Sequence, residues 1–122
     1  VLERLVRDTR VIQELKALYH YTCQVCNQPL NRGFGDPIVE GHHIQPLGQP
    51  HNGPDVPANV IILCPNHHAL FDVGALTVDL RQRQVIHADP RDPLNGVALI
   101  LRHEIGEEFV RYHNEYIFKG RR

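Results

Sequence analysis

The cysteines and histidines are the residues whose types and spacing point to chemistry, and the chemistry is metal binding. Cys23 and Cys26 are two residues apart, and Cys64 and His67 repeat that spacing. Such a gap lets a tight turn present both side chains to one ion, and three thiolates with one imidazole complete a closed tetrahedral site. We therefore predict that these four side chains bind a structural Zn²⁺, whose binding contributes on the order of 10 kcal/mol to folding.

Other interpretations of the cysteines fit less well. The chain has three cysteines, and an odd number argues against a self-contained disulfide framework. A redox pair formed by Cys23 and Cys26 would be expected at the start of a helix in a β–α–β unit, and that pattern is absent. Buried cysteines that only fill space remain the alternative to zinc.

A second polar cluster is separate from the zinc ligands. His42 and His43 end a predicted strand, and His68 and Asp72 lie four residues apart on a predicted helix, so that they share one face. Neighbouring strand residues point to opposite faces, so His42 and His43 should have different roles. One divalent ion with an open coordination sphere, together with one free imidazole as base, would permit metal-assisted phosphodiester hydrolysis.

Several predicted elements must position these residues. Apolar residues at three-and-four spacing predict a helix over 1–20. Pro65 suits a first helical position and Gly74 suits a helix end, which predicts a helix over 65–73. The other predicted elements are a cysteine turn over 21–32, strands over 38–47 and 59–63, a loop over 48–58, a hairpin over 75–80 and 84–88, a strand over 96–102 and a helix over 104–119.

Length and composition bound the possible classes of protein. The 122 residues suffice for one domain. The absence of Trp predicts a core poor in large side chains, which needs a further stabilising element such as a structural metal. A net charge of −1 does not indicate a nucleic-acid binder, although local arginine clusters such as Arg81 and Arg83 can still contact phosphate. No apolar run reaches the roughly 20 residues of a membrane span. Because the chain opens at Val1 rather than Met, we expect a single domain over 1–122 that is either part of a longer protein or a processed chain.

The two polar clusters together resemble the signature of HNH nucleases with the ββα-metal fold. The resemblance implies an α+β fold with a Cys₃His zinc site, a core over 20–75, and flanking N- and C-terminal helices. His67 stands where zinc-stapled relatives more commonly have a fourth Cys. The residues that carry the resemblance are Glu40-Gly41-His42-His43-Ile44, Pro46-Leu47, Asn59, Leu63-Cys64-Pro65-Asn66-His67-His68 and Asp72.

The resemblance also implies a role for each residue. His43 would be the general base, and Asn59 would hold a loop so that His43 is aimed correctly. His42 and His68 would bind the catalytic ion. Asp72 departs from the pattern, since relatives often have His there, and it would be a further ligand.

The residues around the motif resemble the HNH half of bacterial modification-dependent restriction enzymes. They are Tyr21-Thr22-Cys23-Gln24-Val25-Cys26, His42-His43-Ile44-Gln45-Pro46-Leu47-Gly48 and Asn52-Gly53-Pro54-Asp55. In those proteins an SRA-type domain flips and reads methylated cytosine. This resemblance implies a cytoplasmic enzyme with Mg²⁺ or Mn²⁺ as catalytic ion, Ni²⁺ or Co²⁺ also being compatible. It further implies double-stranded DNA with modified cytosine as substrate and a fused SRA-type reader. Because a double-strand cut usually needs two active sites, a homodimer is compatible with this function. No membrane partner is expected, since no apolar run is long enough.

Two other functions fit parts of the sequence. One is a zinc-stapled nucleic-acid-binding module without catalysis, and the other is a protein-interaction domain that uses the C-terminal helix. The joint presence of His43, Asn59 and His68 favours the nuclease, since a binding module has no need of all three. For Glu40 we expect a solvent-exposed or structural role, and contact with a ligand of the catalytic ion is the alternative.

Overall fold

The structure is a computed structural model that describes residues 8–121. Its first described element is helix α1 (Arg10–Leu18), which is shorter than the helix predicted over 1–20. The first seven residues of that prediction lie outside the described residues. The helix begins after Thr9, whose side chain accepts a hydrogen bond from the Ile12 N–H. It ends before His20, where the backbone φ of 55° leaves the helical region.

The central unit is two antiparallel strands followed by a helix, as the ββα-metal fold requires. Strand β1 (Glu40–His43) pairs with strand β2 (Val60–Leu63), and helix α2 (Pro65–Asp72) follows directly. The predicted strand over 38–47 is wrong in length. It ends at His43 because the next residues turn into a loop that is held by the Asn59 side chain instead of by β2.

A second two-stranded sheet confirms the predicted hairpin. Strand β3 (Leu76–Asp79) pairs with strand β4 (Gln84–His87). The strand predicted over 96–102 is wrong, because that segment forms only one isolated bridge, between Ala98 and Gln84. Its backbone hydrogen bonds are divided between two neighbours, since Val97 bonds to Val85 whereas Ile100 bonds to Gln24, so no regular ladder forms.

Helix α3 (Glu107–Tyr116) is shorter than the helix predicted over 104–119. At its start, the Gly106 N–H bonds to the Ala58 carbonyl, which fixes the preceding residues outside the helix. At its end, the Lys119 N–H bonds to the Gly74 carbonyl. The C-terminal segment is therefore tied to the end of α2 rather than continuing as helix.

Two apolar clusters lie on opposite sides of the β1–β2 pair. On one side α1 packs so closely that a Cβ added at Gly41 would lie 2.6 Å from the Ile12 side chain. The cluster on that side consists of Ile12, Leu15, Tyr19, Val39, Val60 and Ile62. The cluster on the other side includes Cys23, Ile44, Ile61, Leu63, Phe71, Leu76, Val78 and Val85. This arrangement confirms the predicted α+β fold. None of the helices between residues 8 and 121 combines the length and apolar character needed to cross a bilayer.

Candidate metal centres and active site

The four predicted zinc ligands lie together. The ligand atoms of Cys23, Cys26, Cys64 and His67 are all within 4.8 Å of one another. His67 Nδ1 is 3.4 Å from Cys23 Sγ and 3.3 Å from Cys64 Sγ. An ion about 2.3 Å from sulfur and about 2.0–2.1 Å from nitrogen, in tetrahedral geometry, would leave such atoms about 3.5 Å apart. The group therefore has the composition and the spacing that suit zinc.

The cysteines are also free of disulfides, and Cys23 is fully buried. Burial raises the pKa of the Cys23 thiol to about 12 when no cation compensates the thiolate. A bound cation reverses that preference, since thiolates and not thiols bind metals. Metal binding at this group is therefore expected to release protons.

A buried glutamine holds the cysteine turn against the strand pair. The Gln24 side chain accepts a hydrogen bond from the Ile62 N–H at 2.8 Å and donates one to the Ile100 carbonyl at 2.7 Å. The Gln24 backbone N–H also bonds to the Ile62 carbonyl. Gln24 therefore bonds to β2 through both its backbone and its side chain. This keeps the neighbouring Cys23 close to His67 in the first turn of α2. Sequence patterns do not reveal this role, because a glutamine between two cysteines resembles an ordinary turn residue.

The second group comprises His42, His68 and Asp72, whose ligand atoms also lie within 4.8 Å of one another. Asp72 Oδ1 is 3.3 Å from His42 Nδ1 and 3.6 Å from His68 Nε2. His42 is buried at the end of β1, whereas the Asp72 side chain is 57% exposed. The group can hold a metal ion on a side open to solvent, and an open position is what distinguishes catalytic from structural sites.

His42 does not have the environment of an ordinary core histidine. Its Nε2 is buried and has no hydrogen-bond partner among residues 8–121. Burial is the main cause that lowers the pKa of His42 to about 4, and the nearby His68 adds to the effect. The ring is therefore neutral near pH 7, which is the form that binds metals.

Glu40 lies against His68, which is the alternative role considered for it and not the solvent-exposed one. The His68 Nδ1–H donates to Glu40 Oε1 at 2.7 Å, and the Glu40 side chain is only 14% exposed. This contact leaves His68 Nε2 directed at the metal group. A carboxylate behind a histidine ligand fixes the tautomer and raises the basicity of the ligand.

We expect Glu40→Gln to weaken binding of Mn²⁺ by about 10–100-fold, because the amide orients His68 less strongly than the carboxylate does. Calorimetric titration of the zinc-loaded protein with Mn²⁺ measures this change. Glu115→Gln, at an exposed position of α3, is the matched control and should bind Mn²⁺ as the wild type does. Equal Mn²⁺ affinity for all three proteins would contradict the role of Glu40.

His43 lies on the other face of β1, as the strand alternation predicted. Its direct partner on β2 is Val60, which belongs to the α1-side cluster, whereas the partner of His42 is Ile61, on the opposite side. His43 Nε2 is 2.8 Å from Asp55 Oδ1. His43 is therefore separate from the metal group and is held by a carboxylate from the loop between the strands.

The Asn59 side chain clamps that loop. It is fully buried, and its Oδ1 accepts from the Gln45 N–H at 2.8 Å. Its Nδ2 donates to the carbonyls of Gln45 and Pro54, at 2.9 Å in both cases. The amide thus joins the residues beside His43 to those beside Asp55. The implied role of Asn59 in aiming His43 stays a prediction, and these contacts are the means by which it would act.

We expect Asn59→Asp to destabilise the fold and to abolish alignment of His43, because a carboxylate cannot donate to the two carbonyls that face it. Each buried carbonyl left without a donor costs roughly 1–3 kcal/mol. Urea unfolding of Asn59→Asp should therefore show a lower midpoint than that of Asn31→Asp, where the side chain is exposed. Identical midpoints would show that Asn59 does not hold the loop.

Helix α3 also reaches the site. His113 is fully buried, and its ring nitrogens lie 3.3 Å from the Ile44 carbonyl and 2.9 Å from the Leu76 carbonyl. At the loop, His51 Nδ1 and the Tyr112 hydroxyl are 2.6 Å apart. Sequence spacing could not have identified these contacts, because they join residues more than thirty positions apart.

Comparisons with known proteins agree with this geometry. Residues 23–79 match the sequence model of a family described as HNH endonuclease. Among solved structures, the chain is similar to a modification-dependent TagI restriction endonuclease, with a TM-score of 0.79 and 35% sequence identity. The match covers 92% of this chain and 39% of that protein, so the chain spans well under half of its length. No curated protein sequence matches the chain.

These matches fall on the residues described above. The family match begins at Cys23 and ends at Asp79, so it contains both metal-binding groups, His43 and Asn59. The structural match covers 92% of the chain and therefore extends well beyond that segment. Over residues 23–79 this chain therefore matches the HNH endonuclease family, and the two comparisons together support a nuclease.

Proposed function

We propose that this chain is the DNA-cleaving domain, over 1–122, of a modification-dependent restriction endonuclease. Its substrate would be double-stranded DNA containing modified cytosine, and a separate SRA-type domain of the same protein would read the modification. The similarity to the modification-dependent TagI restriction endonuclease supports the restriction role. The cytoplasm, where incoming DNA is met, is the location consistent with this role.

One observation carries the nuclease proposal. The metal group and the His43–Asp55 pair lie on opposite sides of the end of β1. His42, His68 and Asp72 form an open metal group, and the adjacent His43 points away from it toward Asp55. A one-metal phosphodiesterase needs one group for an ion and one imidazole that is not a ligand. Consecutive residues of β1 contribute to the two functions, since His42 belongs to the metal group and His43 is the imidazole that is not a ligand.

In this proposal His42, His68 and Asp72 hold the catalytic ion, with Mg²⁺ or Mn²⁺ as the physiological choice. The two imidazoles make the group tolerant of Ni²⁺ and Co²⁺ as well. When bound, the ion neutralises charge on the scissile phosphate and on the leaving oxygen. Glu40 holds His68 in position, and exposure of Asp72 leaves room for the phosphate.

His43 takes a proton from the attacking water in this proposal. Its Nε2–H is donated to Asp55, so Nδ1 is the nitrogen that can accept a proton. Histidine is the side chain that most often serves as a general base. Asn59 keeps His43 and the loop in register, and the structural Zn²⁺ held by Cys23, Cys26, Cys64 and His67 keeps α2 against β1.

A plasmid-cleavage assay tests the proposal. The chain is incubated with two supercoiled plasmids, one unmodified and one with methylated cytosine, in Mg²⁺, Mn²⁺, Ni²⁺ or Co²⁺, with EDTA controls. We expect ion-dependent nicking of both plasmids, because the modification is read by another domain. Cleavage confined to methylated DNA would instead place the reading function within this chain.

Failure to nick either plasmid in any ion, with DNA binding retained, would contradict cleavage and favour the zinc-stapled binding module.

Cutting of both strands at one site usually needs two active centres. The homodimer in this proposal therefore predicts that double-strand breaks rise more steeply with protein concentration than nicks do. Analytical ultracentrifugation with a DNA duplex measures the assembly directly.

A further inference from the structure

The loop between β1 and β2 contains a carboxylate that the general one-metal scheme does not require. Asp55 Oδ1 is 2.8 Å from His43 Nε2, and the side chains of His43 and Asp55 are 8% and 28% exposed. An ionised carboxylate can only accept hydrogen bonds, so this contact selects the ring form that has a proton on Nε2. The selected form has its lone pair on Nδ1.

Hydrogen bonds hold the loop on both sides of the contact between His43 and Asp55. Asn59 bonds to Gln45, two residues after His43, and to Pro54, the residue before Asp55. The Gly53 N–H also bonds to the Pro46 carbonyl at 2.7 Å.

The two sides of the loop approach so closely at Gly53 that only glycine fits. A Cβ at Gly53 would lie 1.9 Å from the Gln45 carbonyl oxygen, well inside any permitted contact. The backbone therefore fixes the distance between His43 and Asp55 independently of their own hydrogen bond.

Asp55 does not belong to either group that can hold a metal ion among the described residues. Its carboxylate lies instead against the imidazole of His43.

We propose that Asp55 is a positioning residue, which acts through His43 by holding its proton on Nε2 and its Nδ1 lone pair toward the attacking water. This inference rests on the proposed function, in which His43 is the base. Sequence analysis did not identify Asp55 as a site residue, because it is twelve positions from His43 and in an irregular loop.

A double-mutant cycle on the full chain tests the inference. Single-turnover nicking of supercoiled plasmid in Mn²⁺ is compared for wild type, Asp55→Asn, His43→Ala and the double variant. We expect Asp55→Asn to lower the cleavage rate by about 10²-fold or more with unchanged affinity for a DNA duplex, as for other carboxylates that orient a catalytic imidazole. We expect the double variant to cleave at the rate of His43→Ala alone, because Asp55 acts only through that ring.

The controls separate positioning from simple loop stability. Asp36→Asn, at an exposed position, should cleave as the wild type does. Asp55→Glu retains a carboxylate and should recover at least a tenth of the wild-type rate. Nitrogen-15 shifts of the His43 ring report the tautomer directly, and they should show Nε2–H in the wild type and a shift toward Nδ1–H in Asp55→Asn.

Each contrary result has a definite meaning. Two rate measurements would overturn the inference. One is a double variant that is slower than His43→Ala by the full factor measured for Asp55→Asn. The other is an Asp55→Glu variant that cleaves no faster than Asp55→Asn. So would an unchanged tautomer in Asp55→Asn. If His43→Ala cleaves as the wild type does, the proposed base itself is wrong. If His43→Ala is inactive while Asp55→Asn is fully active, only the positioning role of Asp55 is wrong.

Discussion

His43→Ala is expected to lower the rate of DNA cleavage by about 10²–10⁴-fold, the usual contribution of a general base. The reason is local, because His43 points away from the metal group formed by His42, His68 and Asp72. Removing its ring should therefore leave zinc content, Mn²⁺ affinity and DNA affinity unchanged. Single-turnover nicking, with Mn²⁺ titration and duplex binding measured on the same preparation, checks the result.

The matched control for this prediction is His20→Asn. His20 is exposed at the end of α1 and has a φ of 55°, a conformation that Asn tolerates better than most residues. It should cleave at the wild-type rate, which separates loss of a particular imidazole from loss of any histidine. If His43→Ala loses Mn²⁺ affinity as well as activity, His43 would be a ligand, and the separation of the two groups would be incorrect.

Cys64→Ser is expected to unfold the domain. Structural zinc in small domains contributes roughly 10–16 kcal/mol, and that is comparable to the whole stability of about 5–15 kcal/mol of a natural domain. Cys64 also precedes α2, so its loss frees the helix that carries His68 and Asp72. The variant should lack zinc, lose the cooperative thermal transition that we expect of the wild type, and fail to cleave DNA.

His67→Cys is the matched control for the zinc prediction. It exchanges one zinc ligand for another, so we expect zinc content near one per chain and a retained thermal transition. Circular dichroism melting and elemental analysis of both variants provide the measurement. A Cys64→Ser protein that melts within a few degrees of the wild type while lacking zinc would show that the three cysteines only fill space.

The metal groups could be predicted from the sequence because their residues come in short, regular pairs. Two-residue spacing and four-residue helical spacing are local rules, and both groups assemble in the structure as those rules predict. The opposite orientation of His42 and His43 followed from strand alternation in the same way. These predictions required no knowledge of how distant segments pack.

The contacts that sequence patterns do not reveal join residues that are far apart in the chain. Glu40 meets His68 only because β1 and α2 pack together, and Gln24 joins β2 to the segment near Ile100. The error at 96–102 has the same origin, since an apolar extended segment resembles a strand until its hydrogen bonds are seen to be divided between two neighbours. Hydrophobic pattern indicates that a segment is buried but not which partner receives its hydrogen bonds.

The difference in exposure between Cys23 and Asp72 has a consequence for exchange kinetics. Cys23 is fully buried, whereas the carboxylate of Asp72 is more than half exposed, so ions at the two groups should leave at very different rates. We expect brief dialysis against a weak chelator to empty the exposed group while zinc stays in place. One folded preparation could then be reloaded with different ions in turn, so that their chemistry can be compared on an identical scaffold.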